Sequence, residues 1–485
     1  MKKTYASVSA LLLIALLASC GGGGTTAPEV SGDDTAPAET TSMFEADGIP
    51  AGTDFGGKTV NILYWLENAD YSDEMNGDVV NDALYNRDLA VEQRLNVDIE
   101  NIGESYTWGT RNEYLGKIRS SVQSGDNAYD IACGQYATLP GLITEGMFAD
   151  LAARKYIDLE KPWWVGDLIE QTAIGGRLYL ATGDITTKTI KTVCCLFANK
   201  RLWDEYGFED PIAVVESGGW TLDYISGLIK NTYRDLNGNS TKDVGDQFGF
   251  MNYNANGIVA FANAFDIKVT TNNKDGYPEL TFGTEKVHNA VTKLCSFLHE
   301  DQNVWADSDQ GAYCYEIFSE GRCLMTTGFF EEAGTDYKEM VDNFTILPYP
   351  KYDEAQENYQ SRLGESNTLF GITASCPDPD MAAAVMEALA SESYRSVSPA
   401  YYEVAMKVKY SRDDETVQML DMIREGVVFD FGALYGSAIG SSLYNSLKTS
   451  VSNNNPDWAS TYAGVKEKTE AGIAAFIEAI EKLEH

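Results

Sequence analysis

The feature that most constrains this chain is an alternation of short apolar runs with amphipathic stretches, beginning at residue 59. Residues 59–65 form an apolar, strand-like run. Residues 79–95 carry Val80, Ala83, Leu84, Leu89, Val91 and Leu95 at spacings that predict one inner helical face. A second strand follows at 97–101, a second helix at 113–124, and a third strand at 129–133 that stops at Gly134. Strand–helix–strand alternation predicts a parallel sheet with crossover helices on its faces. In such sheets ligands meet the loops at the carboxyl ends of the strands, here 66–71, 104–108 and 134–138. The same pattern resumes after Asn199, with a helix at 222–233, a strand at 249–253, and further helices at 287–300, 381–391 and 471–483.

The N-terminus reads as an address. Lys2 and Lys3 precede an apolar run at 8–18, and the segment ends in Leu17, Ala18, Ser19 and Cys20. A basic start, a short apolar middle and a small-residue end make a secretory signal over 1–20. The apolar run is too short to cross a hydrocarbon core of roughly 30 Å. The Leu-Ala-Ser-Cys ending is similar to the lipobox of bacterial lipoproteins, which implies lipidation of Cys20 and anchoring to the outer face of the cell membrane. Residues 21–53, rich in Gly, Thr, Pro, Ala and acidic side chains, have no apolar period and read as a flexible tether.

A net charge of −37 repels phosphate backbones and anionic headgroups, so nucleic acid is a poor partner and the membrane is met only through the lipid. A small neutral solute suits this balance, and nothing in the pattern calls for more than a monomer. Besides Cys20 there are Cys133, Cys194, Cys195, Cys295, Cys314, Cys323 and Cys376, an odd number without C-x-x-C spacing, several of them in apolar runs. They read as buried thiols rather than a disulfide frame. Three histidines, none spaced with cysteines, make zinc a weak idea.

Several stretches together resemble one family. They are Tyr129, Asp130 and Ile131 through Gly134, with Leu142 and the run 146–151; Phe197 to Trp203 with Gly207; the Trp220, Thr221, Leu222, Asp223 turn; Phe318 with 321–330; and Ile346, Leu347, Pro348, Tyr349, Pro350. The chain thereby resembles the extracellular solute-binding proteins (family 1) of carbohydrate-type ABC importers, relatives of maltose-binding protein. The resemblance implies an α/β, two-lobe, periplasmic-binding-protein-like (type II) fold with hinge strand crossovers. It places lobe 1 at 54–198 and 364–430, and lobe 2 at 199–363 and 431–485. It also implies permease subunits as partners.

A sugar offers hydroxyls at its edges and flat C–H faces, so its site needs aromatic platforms fringed by carboxylates and amides. The strand-end loops supply Trp65 and Asn68, Gln135 and Tyr136, Asp184, Asn252, Tyr253 and Asn254, and Phe329, Phe330 and Glu331. Phe330 takes the place of the family's tryptophan at the end of its strand. Trp163 and Trp164 are a lesser candidate, as a cleft rim or lobe surface. Asp235, Asn237, Asn239, Thr241, Asp243 and Asp246 alternate through one loop in an EF-hand-like order, with Gly238 at position four rather than six and Asp246 in place of Glu. That pattern predicts a structural Ca²⁺ site, with a solvated turn as the alternative. G-x-S-x-G, H-E-x-x-H and G-x-G-x-x-G motifs are absent from the sequence, and no catalytic constellation is expected. The reading is a lipid-anchored receptor that takes an extracellular mono- or oligosaccharide and delivers it to a permease. An exported carbohydrate-active enzyme, or a surface sensor or adhesin on the same fold, remain the alternatives.

Overall fold

Two sheets are built to one plan. The computed structural model describes residues 45–253, 255–306, 312–402, 414–440 and 442–483. Its strands in chain order are β1 (Lys58–Trp65), β2 (Val97–Glu104), β3 (Ile131–Gln135), β4 (Cys194–Asn199), β5 (Phe248–Asn252), β6 (Thr270–Asn272), β7 (Pro278–Leu280), β8 (Val304–Ala306), β9 (Cys323–Phe329), β10 (Phe344–Leu347) and β11 (Thr368–Ile372). The first sheet has the order β11-β3-β1-β2 and the second β10-β4-β9-β5-β8, with β6 and β7 a separate hairpin. In the first sheet β1, β2 and β3 are parallel and β11 runs against β3. In the second, β5, β8 and β9 are parallel and β4 runs against β9.

Each sheet therefore receives one antiparallel strand from the other half of the chain. β4 enters the second sheet as the chain leaves the first, and β11 returns to the first as it leaves the second. Membership of β4 in the second sheet moves the first crossing ahead of Cys194, earlier than the boundary at 198. β4 is buried on both sides: Cys195 and Phe197 join the apolar cluster that runs through the hinge to the first sheet, whereas Cys194, Leu196 and Ala198 join the second cluster. All seven described cysteines are buried free thiols.

The first helix, α1 (Val79–Leu95), starts where the Asp78 carboxylate accepts from the amides of Val80 and Asn81, and ends at Asn96 with φ 49°. Its inner face differs from the apolar spacing. Leu89 is exposed, while Arg87 and Asp88 turn inward. Arg87 donates through Nε to Asp88 (2.7 Å), through Nη2 to the Asp70 carbonyl (2.7 Å), and through Nη1 to the Ile185 carbonyl and the Ser393 hydroxyl. A buried guanidinium with this many acceptors ties α1 to two later segments, which a hydrophobic pattern alone does not reveal.

The helices after β11 do not divide between the lobes as their order in the sequence suggests. Asp414–Glu425, expected in lobe 1, packs against β10 of the second sheet. The 24-residue helix Trp458–Glu481, expected wholly in lobe 2, reaches both. Trp458 lies 5.5 Å from Phe282 in the second lobe, while Phe476 packs on Phe431 and Tyr435, and the Ile480 carbonyl accepts from Arg177 Nη1 at 2.9 Å. About 36 Å of helix, at 1.5 Å per residue, is long enough for both tasks. Apolar periodicity marks a helix but not the sheet it covers.

Gly472 lets this helix sit against the segment before it, because a Cβ there would stand 2.0 Å from the Ile439 carbonyl oxygen. Gly472→Ala is expected to lower stability by about 1–3 kcal/mol through overpacking. Denaturant titration reads it, and an unchanged midpoint would mean that the helix does not seat there.

Candidate functional site

The two crossings lie at the carboxyl ends of the parallel strands and are hydrogen-bonded to each other. Val193 and Leu363 form an antiparallel bridge, Cys194 N donates to the Arg362 carbonyl (3.0 Å), and Gly364 N donates to the Thr192 carbonyl (2.8 Å). A third segment joins beside them, with Ser361 N on the Gly426 carbonyl (2.7 Å) and Val428 N on the Ser361 carbonyl (3.0 Å). Glycine is required at 364, where a Cβ would come within 2.9 Å of the Phe329 ring. This ribbon holds the ends of β1 and β3 opposite those of β5 and β9. The facing loops form the candidate site.

From the second lobe the site receives a half-buried aromatic group. Tyr253 lies 5.0 Å from Tyr315 and 6.1 Å, edge-on, from Phe329. Tyr253 N donates to Thr327 Oγ1 at 2.7 Å, which fixes the turn after β5. Asn252 is buried, and its amide oxygen accepts from Thr327 Oγ1 at 3.5 Å. Glu331 is half-buried in the single turn that follows Phe329. From the first lobe come the half-buried Gln135 and the buried Tyr136, whose amide donates to the Asn367 carbonyl (2.8 Å) and whose ring meets Phe429 at 6.1 Å.

Other expected residues serve the frame. Trp65 is 2% exposed; its indole N–H donates to the Tyr106 carbonyl (2.9 Å) and its ring packs on Tyr114. Phe330 is 1% exposed, between Tyr401 and Tyr402, and its amide donates to the Val193 carbonyl. The accessible ring at the end of β9 is therefore Phe329, one residue earlier than expected. Asp184 is buried in an ion pair with Arg424 and accepts from Ser398 Oγ. Burial pushes its carboxyl up, against the pull of Arg424. Trp163 and Trp164 form neither rim nor surface: both are buried, donating to the two oxygens of Glu387 at 3.1 and 2.8 Å. Asn68 sits in the turn after β1, while Cys20 and Asn254 lie outside the described residues.

Two neighbours of the site, Tyr315 and Arg362, carried no sequence signal, whereas Glu332 completes the acidic pair that Glu331 begins after β9. Tyr315 donates to Glu332 Oε1 at 2.7 Å, behind the aromatic group. Glu332 is 2% exposed, its second oxygen has no hydrogen-bond partner, and burial pushes its carboxyl up to about 8. Arg362, on the second crossing, is buried in the ribbon. Only the spacing of Tyr315 and Arg362 from the family-like motifs could have hinted at them.

The loop at 235–246 is closed on itself. Asp235 accepts from the amides of Gly238 and Ser240, Asn237 and Asn239 from those two residues on, and Asp243 from Gly245 N and from the side-chain amides of Asn237 and Asn239. Asp246 accepts from Tyr233 OH and Asp243 N, and Thr241 contributes its amide to Asn239. Among the described residues, no three His, Cys, Asp or Glu side chains are grouped to hold a metal ion.

No family model and no curated protein sequence matches the chain. Its backbone is similar to solved structures of carbohydrate-binding proteins. One is the galacto-N-biose/lacto-N-biose I-binding protein of an ABC transporter from Bifidobacterium longum, in complex with lacto-N-biose (13% identity, TM-score 0.55, 87% of this chain and 98% of that one). Another is a cyclo/maltodextrin-binding protein complexed with maltotetraose (12% identity, TM-score 0.54, 88% and 99%). A third is the GacH receptor of Streptomyces glaucescens, solved unliganded and with acarbose (14% identity, TM-score 0.50, 88% and 100%). The chain has the two-lobed α/β fold of these sugar-binding proteins.

The buried acids set a pH dependence. A carboxyl raised to about 8 keeps its proton in the folded state where the unfolded chain, near its ordinary 4.5, has lost it. Stability therefore falls as pH rises from about 4.5 to 8, and Glu387, raised by burial to about 7, acts in the same sense. Glu332→Gln is expected to flatten this fall, by on the order of 3–5 kcal/mol at most at pH 8. Chemical denaturation at pH 5 and pH 8 reads it, and an unaltered slope would remove Glu332 as the cause.

Proposed function

We propose that this chain captures a carbohydrate between its lobes and delivers it to the membrane subunits of an ABC importer, tethered outside the cell through a lipid on Cys20. The observation that carries the reading is the reciprocal exchange of β4 and β11, which sets the strand ends of both sheets face to face across a hydrogen-bonded ribbon. A solute touching both lobes stabilises their closed arrangement, and a permease that reads the closed shape couples capture to transport. The ring group of Tyr253, Tyr315 and Phe329 offers apolar faces, and Gln135 and Glu331 offer polar edges, as sugar recognition requires. The similar structures are binding proteins, which favours capture over catalysis. No helix among the described residues is long and apolar enough to cross a membrane.

Calorimetry against a panel of mono- and oligosaccharides tests the reading. A bound sugar is expected to reduce the radius of gyration in small-angle scattering. Phe329→Ala is expected to weaken binding at least about tenfold, about 1.4 kcal/mol, while the half-exposed ring leaves the melting temperature of the unliganded protein nearly unchanged. Hydrolysis of the panel without tight binding would turn the reading toward an enzyme.

The loop at 235–246 is proposed as a structural Ca²⁺ site, on its alternation of oxygen-bearing side chains. Binding would exchange the amide hydrogen bonds of Asp235, Asp243 and Asp246 for ion contacts. Calcium added to EDTA-treated protein is expected to raise stability, by about 2.7 kcal/mol at a hundred times its Kd. An unmoved transition would assign the loop to an amide-capped turn.

A further inference from the structure

The outer edge of the first sheet presents apolar side chains to water. Of the eight tryptophans, seven are buried or half-buried and Trp108 alone is exposed, at 55%. It follows β2, the last strand in the order β11-β3-β1-β2. Leu66, Met75 and Val79 are exposed as well, all between the end of β1 and the first turn of α1. Single exposed apolar side chains are ordinary, but these four come from two neighbouring strand-end connections. In a parallel sheet this is the end at which ligands are met. The second sheet does likewise: Tyr313, also exposed, follows β8, its own edge strand.

The loop that carries Trp108 is held from several sides. Ser105 Oγ donates to Glu67 Oε1 (2.8 Å) and the Trp65 indole N–H donates to the Tyr106 carbonyl (2.9 Å), which ties the connections after β1 and β2 together. Tyr106 in turn packs on Trp65 and Tyr114. Thr107 N donates to Thr110 Oγ1 and Thr110 N to the Thr107 carbonyl, both at 3.0 Å, closing the single turn Trp108–Thr110. Arg111 donates through Nη1 to the Trp108 carbonyl (2.7 Å), and its guanidinium lies 4.6 Å from the centre of the indole. The cation covers one face of the ring, and the exposure of the residue leaves the other to solvent. A flat apolar face oriented in advance loses little freedom when a ligand stacks on it.

We infer that this edge is an outer subsite of the cleft, with Trp108 as its stacking platform, and that the solute is an oligosaccharide of at least three units. The inference rests on the carbohydrate-capture reading and deepens it. Strand order sets the length. Gln135 ends β3, two strands in from β2, and neighbouring strands lie about 4.8 Å apart. Roughly 10 Å therefore separates the polar edge at Gln135 from the loop of Trp108, more than one sugar ring spans. A monosaccharide held by Tyr253, Tyr315 and Phe329 leaves Trp108 unused, whereas a chain running out along the strand ends covers both. An indole meets the C–H face of a sugar through its ring and not through hydroxyl-specific hydrogen bonds, so this platform reads the length of the chain more than its identity.

Titration calorimetry of the full chain with malto- and cello-oligosaccharides of one to five units tests it. In the series that binds, the tetrasaccharide is expected to bind at least tenfold tighter than the disaccharide. Trp108→Ala is expected to reduce that gain to less than threefold, and Trp108→Phe, which keeps a ring, to retain most of it. Val341→Ser serves as the control, since Val341 is 94% exposed but precedes the amino end of β10, away from the strand ends that carry the site, and is expected to keep the full gain. Acrylamide quenching of tryptophan emission is expected to fall when the tetrasaccharide binds and to lose that response in Trp108→Ala. Equal affinity at every length, or a length preference that survives Trp108→Ala, would overturn the inference and leave the capture reading standing. Binding of neither series would overturn both.

Discussion

Pairing between the two crossing segments is the interaction on which the rest of this architecture depends. Where Val193 meets Leu363, and where Cys194 and Gly364 donate across the ribbon, the chain passes between sheets twice within one hydrogen-bonded unit. Two extended strands side by side satisfy each other's backbone groups and resist shear, yet they can twist about their common axis. The third segment at 426–428 adds a further set of backbone bonds without closing the loops in front. The lobes are thereby held at a common edge, and their strand ends are left to face one another.

Burial of polar groups around this ribbon follows a consistent logic. Arg87 and Asp184 are buried charges with partners: one is ringed by acceptors, the other paired with Arg424. Glu387 is stabilised by two indole N–H groups. Glu332 and Arg362 differ, since each keeps an atom without a partner and each lies at the hinge or directly behind the aromatic group.

Much of the fold was legible because it rests on period and order. The run at 59–65, the helix at 79–95 and the strand at 129–133 appear as β1, α1 and β3 within a residue or two, since the parallel-sheet pattern is local. The site was less so. Tyr253 and Phe329 stand where strand-end loops were expected to place them, but Trp65 and Phe330, equally aromatic and equally near strand ends, are interior. A side chain at the last position of a strand can point to either face. The alternation that decides it depends on register with neighbours that lie far away in the sequence.

From the sequence by itself came the class of fold, the order of its strands and helices, the charge that disfavours nucleic acid, and the N-terminal segment that reads as an export address. Those follow from composition and from patterns spanning fewer than about twenty residues. Tertiary structure alone decided which sheet β4 joins, that the helix Trp458–Glu481 serves both lobes, that Trp163 and Trp164 hold a buried acid, and that Arg362 faces a cavity at the hinge. Each of these depends on contacts between residues tens to hundreds of positions apart. Such contacts are selected by packing, and a one-dimensional pattern does not encode them.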